Sequence, residues 1–216
     1  MLMEKRDQGE GVDVSYNVRR CIHAELCVQH LRAVFEPNRR PWIDATQASA
    51  DAIAQTVRLC PSGALHAIRT DGGAEEMPDS ANSGVLWKDG PLQVRGALHL
   101  SAAGVQDGRF DEVRVTLCRC GASKNKPYCD NSHRTIGWQA DDIANPEVET
   151  LQQAGGPLTI TAEANGPYQV DGPLTLQDAE GVVRYAGEQT WLCRCGGSHN
   201  KPFCDNSHRT NGFQAE

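Results

Sequence analysis

Cys118-Arg-Cys120-Gly-Ala-Ser123-Lys-Asn-Lys-Pro127-Tyr-Cys129-Asp130-Asn131-Ser132-His133 returns further on as Cys193-Arg-Cys195-Gly-Gly-Ser198-His-Asn-Lys-Pro202-Phe-Cys204-Asp205-Asn206-Ser207-His208. Both stretches have the spacing Cys-x-Cys-x8-Cys-x3-His. Three thiols and one imidazole so close together are a metal site's inventory. A structural role could keep such residues once by chance. The same four donor types at the same spacing twice are hard to explain without a metal. The donor set alone leaves the metal open, because Cys3His is also a tetrahedral zinc set.

The repeat is larger than the motif. Gly90–Leu100 matches Gly166–Leu176 at seven of eleven positions, and Leu117–Ala140 differs from Leu192–Ala215 at five of twenty-four. Each unit reads as a Gly/Pro-punctuated β segment followed by the cysteine loop and one helical turn. Neither unit has many large apolar residues, so the two are expected to share a β core about a pseudo-twofold axis, an internal pseudo-dimer within a monomer.

Both copies resemble the CDGSH iron–sulfur (mitoNEET-like) family over roughly residues 85 to 216. Its pattern is Cys-x-Cys-x2-(Ser/Thr)-x3-Pro-x-Cys-Asp-Gly-(Ser/Ala/Thr)-His. Ser123, Pro127 and Asp130 fit it, as do Ser198, Pro202 and Asp205. The resemblance implies two [2Fe–2S] clusters, one held by Cys118, Cys120, Cys129 and His133, the other by Cys193, Cys195, Cys204 and His208. The family glycine is Asn131 here, and Asn206 in the second copy. Gly there suggests positive φ, which Asn tolerates best among other residues. One imidazole in place of a thiolate leaves the site less negative and raises its potential. Arg119, Lys124, Lys126 and Arg134 act in the same direction, as do Arg194, Lys201 and Arg209. Asp130 is placed to cap the turn that presents His133.

All nine cysteines fall in threes, and the remaining trio is Cys21, Cys27 and Cys60. Cys21-Ile-His23-Ala24-Glu-Leu-Cys27 with a distant Cys60-Pro61 resembles a bacterial ferredoxin whose middle cysteine has become Ala24. It looks more particularly like the divergent 4Fe–4S mono-cluster domain, over about residues 12 to 70. The resemblance implies a [3Fe–4S] cluster, or a [4Fe–4S] cluster with His23, His30 or water as fourth ligand. Both histidines also read as ordinary surface residues. His66, His99 and His199 have no ligand spacing.

Around that trio, Gly11 to Val18 alternates as a strand and Cys21 to Phe35 reads as a loop running into a helix. Pro41-Trp-Ile43 reads as a short strand. Ser49 caps a helix over residues 50 to 59, and Leu65 to Arg69 is a last strand. The order is ferredoxin-like, and the fold class expected is α+β. The expected domains are residues 1–72 for the mono-cluster unit, 73–84 for a linker, 85–145 for the first repeat and 146–216 for the second.

The chain has 216 residues, 6% aromatic, with net charge −7. That balance argues against nucleic acid as the main partner. The acids concentrate between 140 and 189, nine against one base. No apolar run approaches membrane-spanning length, and the first residues have no signal core. A reducing, cytoplasmic setting with thiols held for metal follows. No nucleophile–base constellation, phosphate loop or dinucleotide fingerprint is present, so no enzyme reading arises. The expected function is one-electron transfer or cluster storage and donation, with a redox protein or an apo-acceptor as partner. The rivals are a zinc-stapled interaction module and an electron-input subunit of an oxidoreductase.

Overall fold

The computed structural model describes residues 6–102, 110–140 and 146–215. The fold is α+β, with more strand than helix, in two compact units, Met1–Met77 and Pro78–Glu216.

The first unit is a three-stranded antiparallel sheet, β1 (Arg6–Gly9), β2 (Val12–Tyr16) and β3 (Leu65–Arg69), in that order. Two short helices join β2 to β3, α1 (Leu26–His30) and α2 (Ala50–Val57). Val12, Val14, Ile53, Val57 and Leu65 make its core with Val34, Phe35 and Ile43. Ser49 caps α2 by accepting a hydrogen bond from the Ala52 N–H, as its sequence position predicts. Three expectations need correction. The strand expected over 11 to 18 is shorter and forms a hairpin with β1, whose polar sequence hides it. The helix expected toward Phe35 stops at His30. Val34 and Phe35, consecutive and both fully buried, instead turn inward, and Phe35 bridges Ile43. The strand expected at 41–43 is reduced to that bridge.

The second unit is one seven-stranded sheet drawn from both repeats. The first repeat gives β4 (Ser83–Leu86), β5 (Leu92–Ala102) and β6 (Phe110–Leu117). The second gives the short β7 (Glu147–Val148), then β8 (Pro157–Ala162), β9 (Tyr168–Asp178) and β10 (Val183–Leu192). The pairing is reciprocal. β4 pairs antiparallel with the first half of β5 and parallel with the second half of β9. β8 pairs antiparallel with the first half of β9 and parallel with the second half of β5. A single core of Leu86, Leu98, Leu117, Leu158, Leu174 and Leu192, among others, is therefore built from both copies. Each copy is too poor in large apolar residues to bury a core of its own. Ser83 and Gly84, which composition assigns to the linker, open β4 of this sheet, and Asn82 stands just before it. Asn82 is buried, donating to the carbonyls of Gly156 and Pro173 and accepting from the Ala97 N–H.

Candidate metal centres

Each cysteine loop is an extension of a strand pair that closes on itself. At the end of β6, Cys118 N–H donates to the Pro127 carbonyl and Cys129 N–H to the Thr116 carbonyl. At the end of β10, Cys193 pairs likewise with Pro202, and Cys204 with Trp191. The first and third cysteines of each motif therefore each follow one partner of the bridge at the loop base, Leu117–Tyr128 in the first loop and Leu192–Phe203 in the second. Ser123 Oγ knots the first loop, donating to the Tyr128 carbonyl and accepting from Asn125 N–H. Ser198 does the same with Phe203 and Asn200.

The donors gather in pairs. Cys118 and Cys120 sulfurs are 3.7 Å apart, and Cys129 Sγ lies 3.6 Å from His133 Nδ1. In the second loop the distances are 3.8 Å for Cys193 and Cys195 and 3.4 Å for Cys204 Sγ to His208 Nδ1. Among the described residues, no three His, Cys, Asp or Glu side chains converge on a single-ion position.

The turn that presents each histidine is built as its sequence suggests. Asn131 has φ 68° and Asn206 φ 70°, the left-handed region where the family has glycine. Asp130 accepts from the N–H groups of Ser132 and Lys124, and Asp205 from those of Ser207 and His199. Asn131 N–H donates to Cys129 Sγ at 3.3 Å, and Asn206 N–H to Cys204 Sγ at 3.4 Å. Burial raises the pKa of both thiols, and these donors act against it, favouring the thiolate that binds metal. Within the Cys118–Cys120 pair, the shared hydrogen bond raises the Cys118 pKa and lowers that of Cys120. Burial, with help from Arg134, lowers the His133 pKa and keeps its ring neutral with a lone pair to offer.

Arg119 and Arg194, each between two cysteines of its motif, are structural clamps as well as charges. Arg119 donates to the Trp87 and Gly90 carbonyls in the β4–β5 turn. Arg194 donates to Glu163 and Gly166 in the β8–β9 turn. Lys126 and Lys201 reach back to the Ser123 and Ser198 carbonyls of their own loops.

The two loops also touch. Cys120 and Cys195 form an antiparallel backbone bridge. Gly121 (φ 77°) and Gly196 (φ 80°) make this possible, since a Cβ on either would run into the carbonyl of the opposite cysteine. Trp138 Nε1 donates to the Gly196 carbonyl, and Lys126 lies over the Phe213 ring at 6.0 Å. Sequence reasoning missed these cross-ties and Tyr168, whose hydroxyl lies 2.9 Å from both the Cys118 and Pro127 carbonyls.

In the first unit, Cys21, Cys27 and Cys60 line one cavity, together with Ala24 and two residues the sequence reading passed over, Tyr16 and Glu25. The Tyr16 hydroxyl is hydrogen-bonded to Cys21, and burial first, then that bond, raises its pKa. Burial and the Cys60 sulfur push the Cys27 thiol up to about 11. Cys60 Sγ is 3.6 Å from Ser62 Oγ. His23, at φ 53°, lines the adjoining surface of this pocket with Cys21 and Cys27, whereas His30 closes α1.

A family model described as the iron-binding zinc finger of CDGSH type matches residues 89–134 and again 165–209. One described as a divergent 4Fe-4S mono-cluster matches residues 8–70. The chain belongs to the CDGSH iron-binding family and carries a divergent 4Fe-4S mono-cluster unit before its two CDGSH motifs. It is thus an iron–sulfur protein. Uncharacterized protein YjdI of Escherichia coli K12 is 35% identical over 57 residues, which cover 26% of this chain and 75% of that one. The protein of the same name from E. coli O157:H7 gives the same figures. No solved structure matches the chain. No helix among the described residues is long and apolar enough to cross a membrane.

Proposed function

We propose that the protein holds two [2Fe–2S] clusters and one three- or four-iron cluster, and acts as a one-electron carrier that also stores and donates clusters. The observation that carries this reading is the division of each motif's donors into a thiol pair and a thiol–imidazole pair. A zinc ion needs four donors around one point. Two pairs suit two irons, Cys118 and Cys120 for one, Cys129 and His133 for the other, and likewise in the second loop. Thiols that share a cavity without converging on one ion suit a cubane-type cluster, ligated one iron at a time by Cys21, Cys27 and Cys60. A bound cluster supplies reversible uptake of one electron. The protein's part is to offer the Cys129 and Cys204 sulfurs backbone N–H groups, keep His133 neutral, and surround each loop with base. The reciprocal strand pairing supports packing of the repeats about a pseudo-twofold axis, and the order of elements in the first unit supports a ferredoxin-like reading. The partner is a redox protein or an apo-acceptor.

Anaerobically purified protein is expected to contain seven or eight iron atoms per chain, sulfide to match, and red-brown absorption. Zinc without sulfide would overturn the reading of the repeats. Four irons with intact [2Fe–2S] absorption would overturn that of the first unit alone. The empty ferredoxin position gives a second test. Ala24 lines the cavity of Cys21, Cys27 and Cys60. Ala24→Cys is therefore expected to supply a fourth thiolate and give a [4Fe–4S] electron paramagnetic resonance signal on reduction. An unchanged spectrum and iron count would mean that a fourth ligand already occupies that corner.

A further inference from the structure

We infer that the two [2Fe–2S] sites are not equivalent: the second opens to exchange, and the first is a retained site held shut by Tyr168. The inference rests on the cluster assignment above and concerns what this chain's own residues do around each site.

The loops Cys118–His133 and Cys193–His208 differ at only three positions, none of them a ligand, so the difference arises outside the ligands. Tyr168, fully buried at the start of β9, crosses from the second repeat into the first loop. Its hydroxyl meets the carbonyls of Cys118 and Pro127, the two residues whose own hydrogen bond closes the loop base. The corresponding residue in the first repeat is Leu92, which has no hydroxyl to return the tie to the second loop. The guanidinium of Arg194 sits 5.6 Å over the Tyr168 ring, itself fully buried, and fixes the ring's place.

Exposure follows the same division. Cys118, Cys120, Cys129 and His133 are all buried, His133 at 7% exposed. In the second site only Cys193 is fully buried, and Cys195, Cys204 and His208 are each partly open. His208 lines a cleft with Arg209, Phe213 and Trp191. Trp191 is 47% exposed, whereas its counterpart Thr116 is 1% exposed. A cluster leaves or arrives only when an incoming ligand can reach the iron as a protein donor lets go. The neutral imidazole is the donor that leaves three thiolates in place. At the second site that imidazole faces an open cleft, while at the first it is walled in. The Cys120–Cys195 backbone bridge keeps the closed site in contact with the open one.

The test is loss of visible absorption from the full-length holoprotein under excess chelator, with Cys129→Ser and Cys204→Ser variants to assign the phases. The phase missing in Cys204→Ser is expected to be at least about tenfold faster than the phase missing in Cys129→Ser. Tyr168→Phe is expected to speed the second of these by about tenfold, the worth of one buried hydrogen bond, and leave the first unchanged. Alkylation followed by mass spectrometry on the unmodified sequence gives an independent readout, with Cys204 labelled before Cys129. Equal rates, a reversed order of labelling, or no effect of Tyr168→Phe would overturn the inference while leaving the clusters assigned. Absence of [2Fe–2S] absorption from the starting protein would overturn the assignment itself, and this inference with it.

Discussion

Cys129→Ala is expected to remove two iron atoms and two sulfides per chain and to leave the second [2Fe–2S] site loaded. Cys129 is paired with His133 in its own loop at 3.6 Å, and every donor of the second site comes from its own loop. Without that thiolate, one iron retains a single imidazole, which cannot hold it. The loop itself should survive, because the Ser123 knot, the Asp130 cap and the Arg119 clamp involve no cysteine side chain. The measurement is iron, sulfide and visible circular dichroism on the purified variant. Loss of both clusters would show that the Cys120–Cys195 bridge and the Trp138–Gly196 contact make the loops one cooperative body.

His133→Cys should keep a cluster and lower its potential, on the order of 100 mV or more, toward the range of all-cysteine sites. The change places a thiolate where a neutral ring stood, so one negative charge is added beside the acceptor. His208→Cys should move its own cluster in the same direction by less. His133 is buried, and added charge acts more strongly where water cannot screen it. His208 lies at an open cleft. Potentiometric titration of each single variant decides both points. An unchanged or raised potential in His133→Cys would remove His133 from the ligand set, and an equal fall in both variants would contradict the difference in burial.

The sequence by itself determined the parts whose causes are local. The spacing of the candidate donors within sixteen residues is local, and so is the Asp130 cap. Positive φ at Asn131 and Asn206 was legible because few residues other than Gly and Asn adopt it, and Ser49 was legible as a cap for the same kind of reason. The need for the repeats to share a core could be read from their small apolar content. Tertiary structure alone decided how they share it. β4 and β8 pair both with strands of their own repeat and with those of the other, and no local pattern encodes a partner 60 residues away (Ala97 with Pro157) or 92 (Ser83 with Thr175). The same holds for Tyr168. In the sequence it is one aromatic residue in a strand, matched to a leucine in the other copy. Only folding brings its hydroxyl to the carbonyls of Cys118 and Pro127, 50 and 41 residues distant. Two loops that are nearly identical as sequence are thereby placed in different surroundings, because burial and hydrogen bonding depend on what packs against a segment and not on the segment alone.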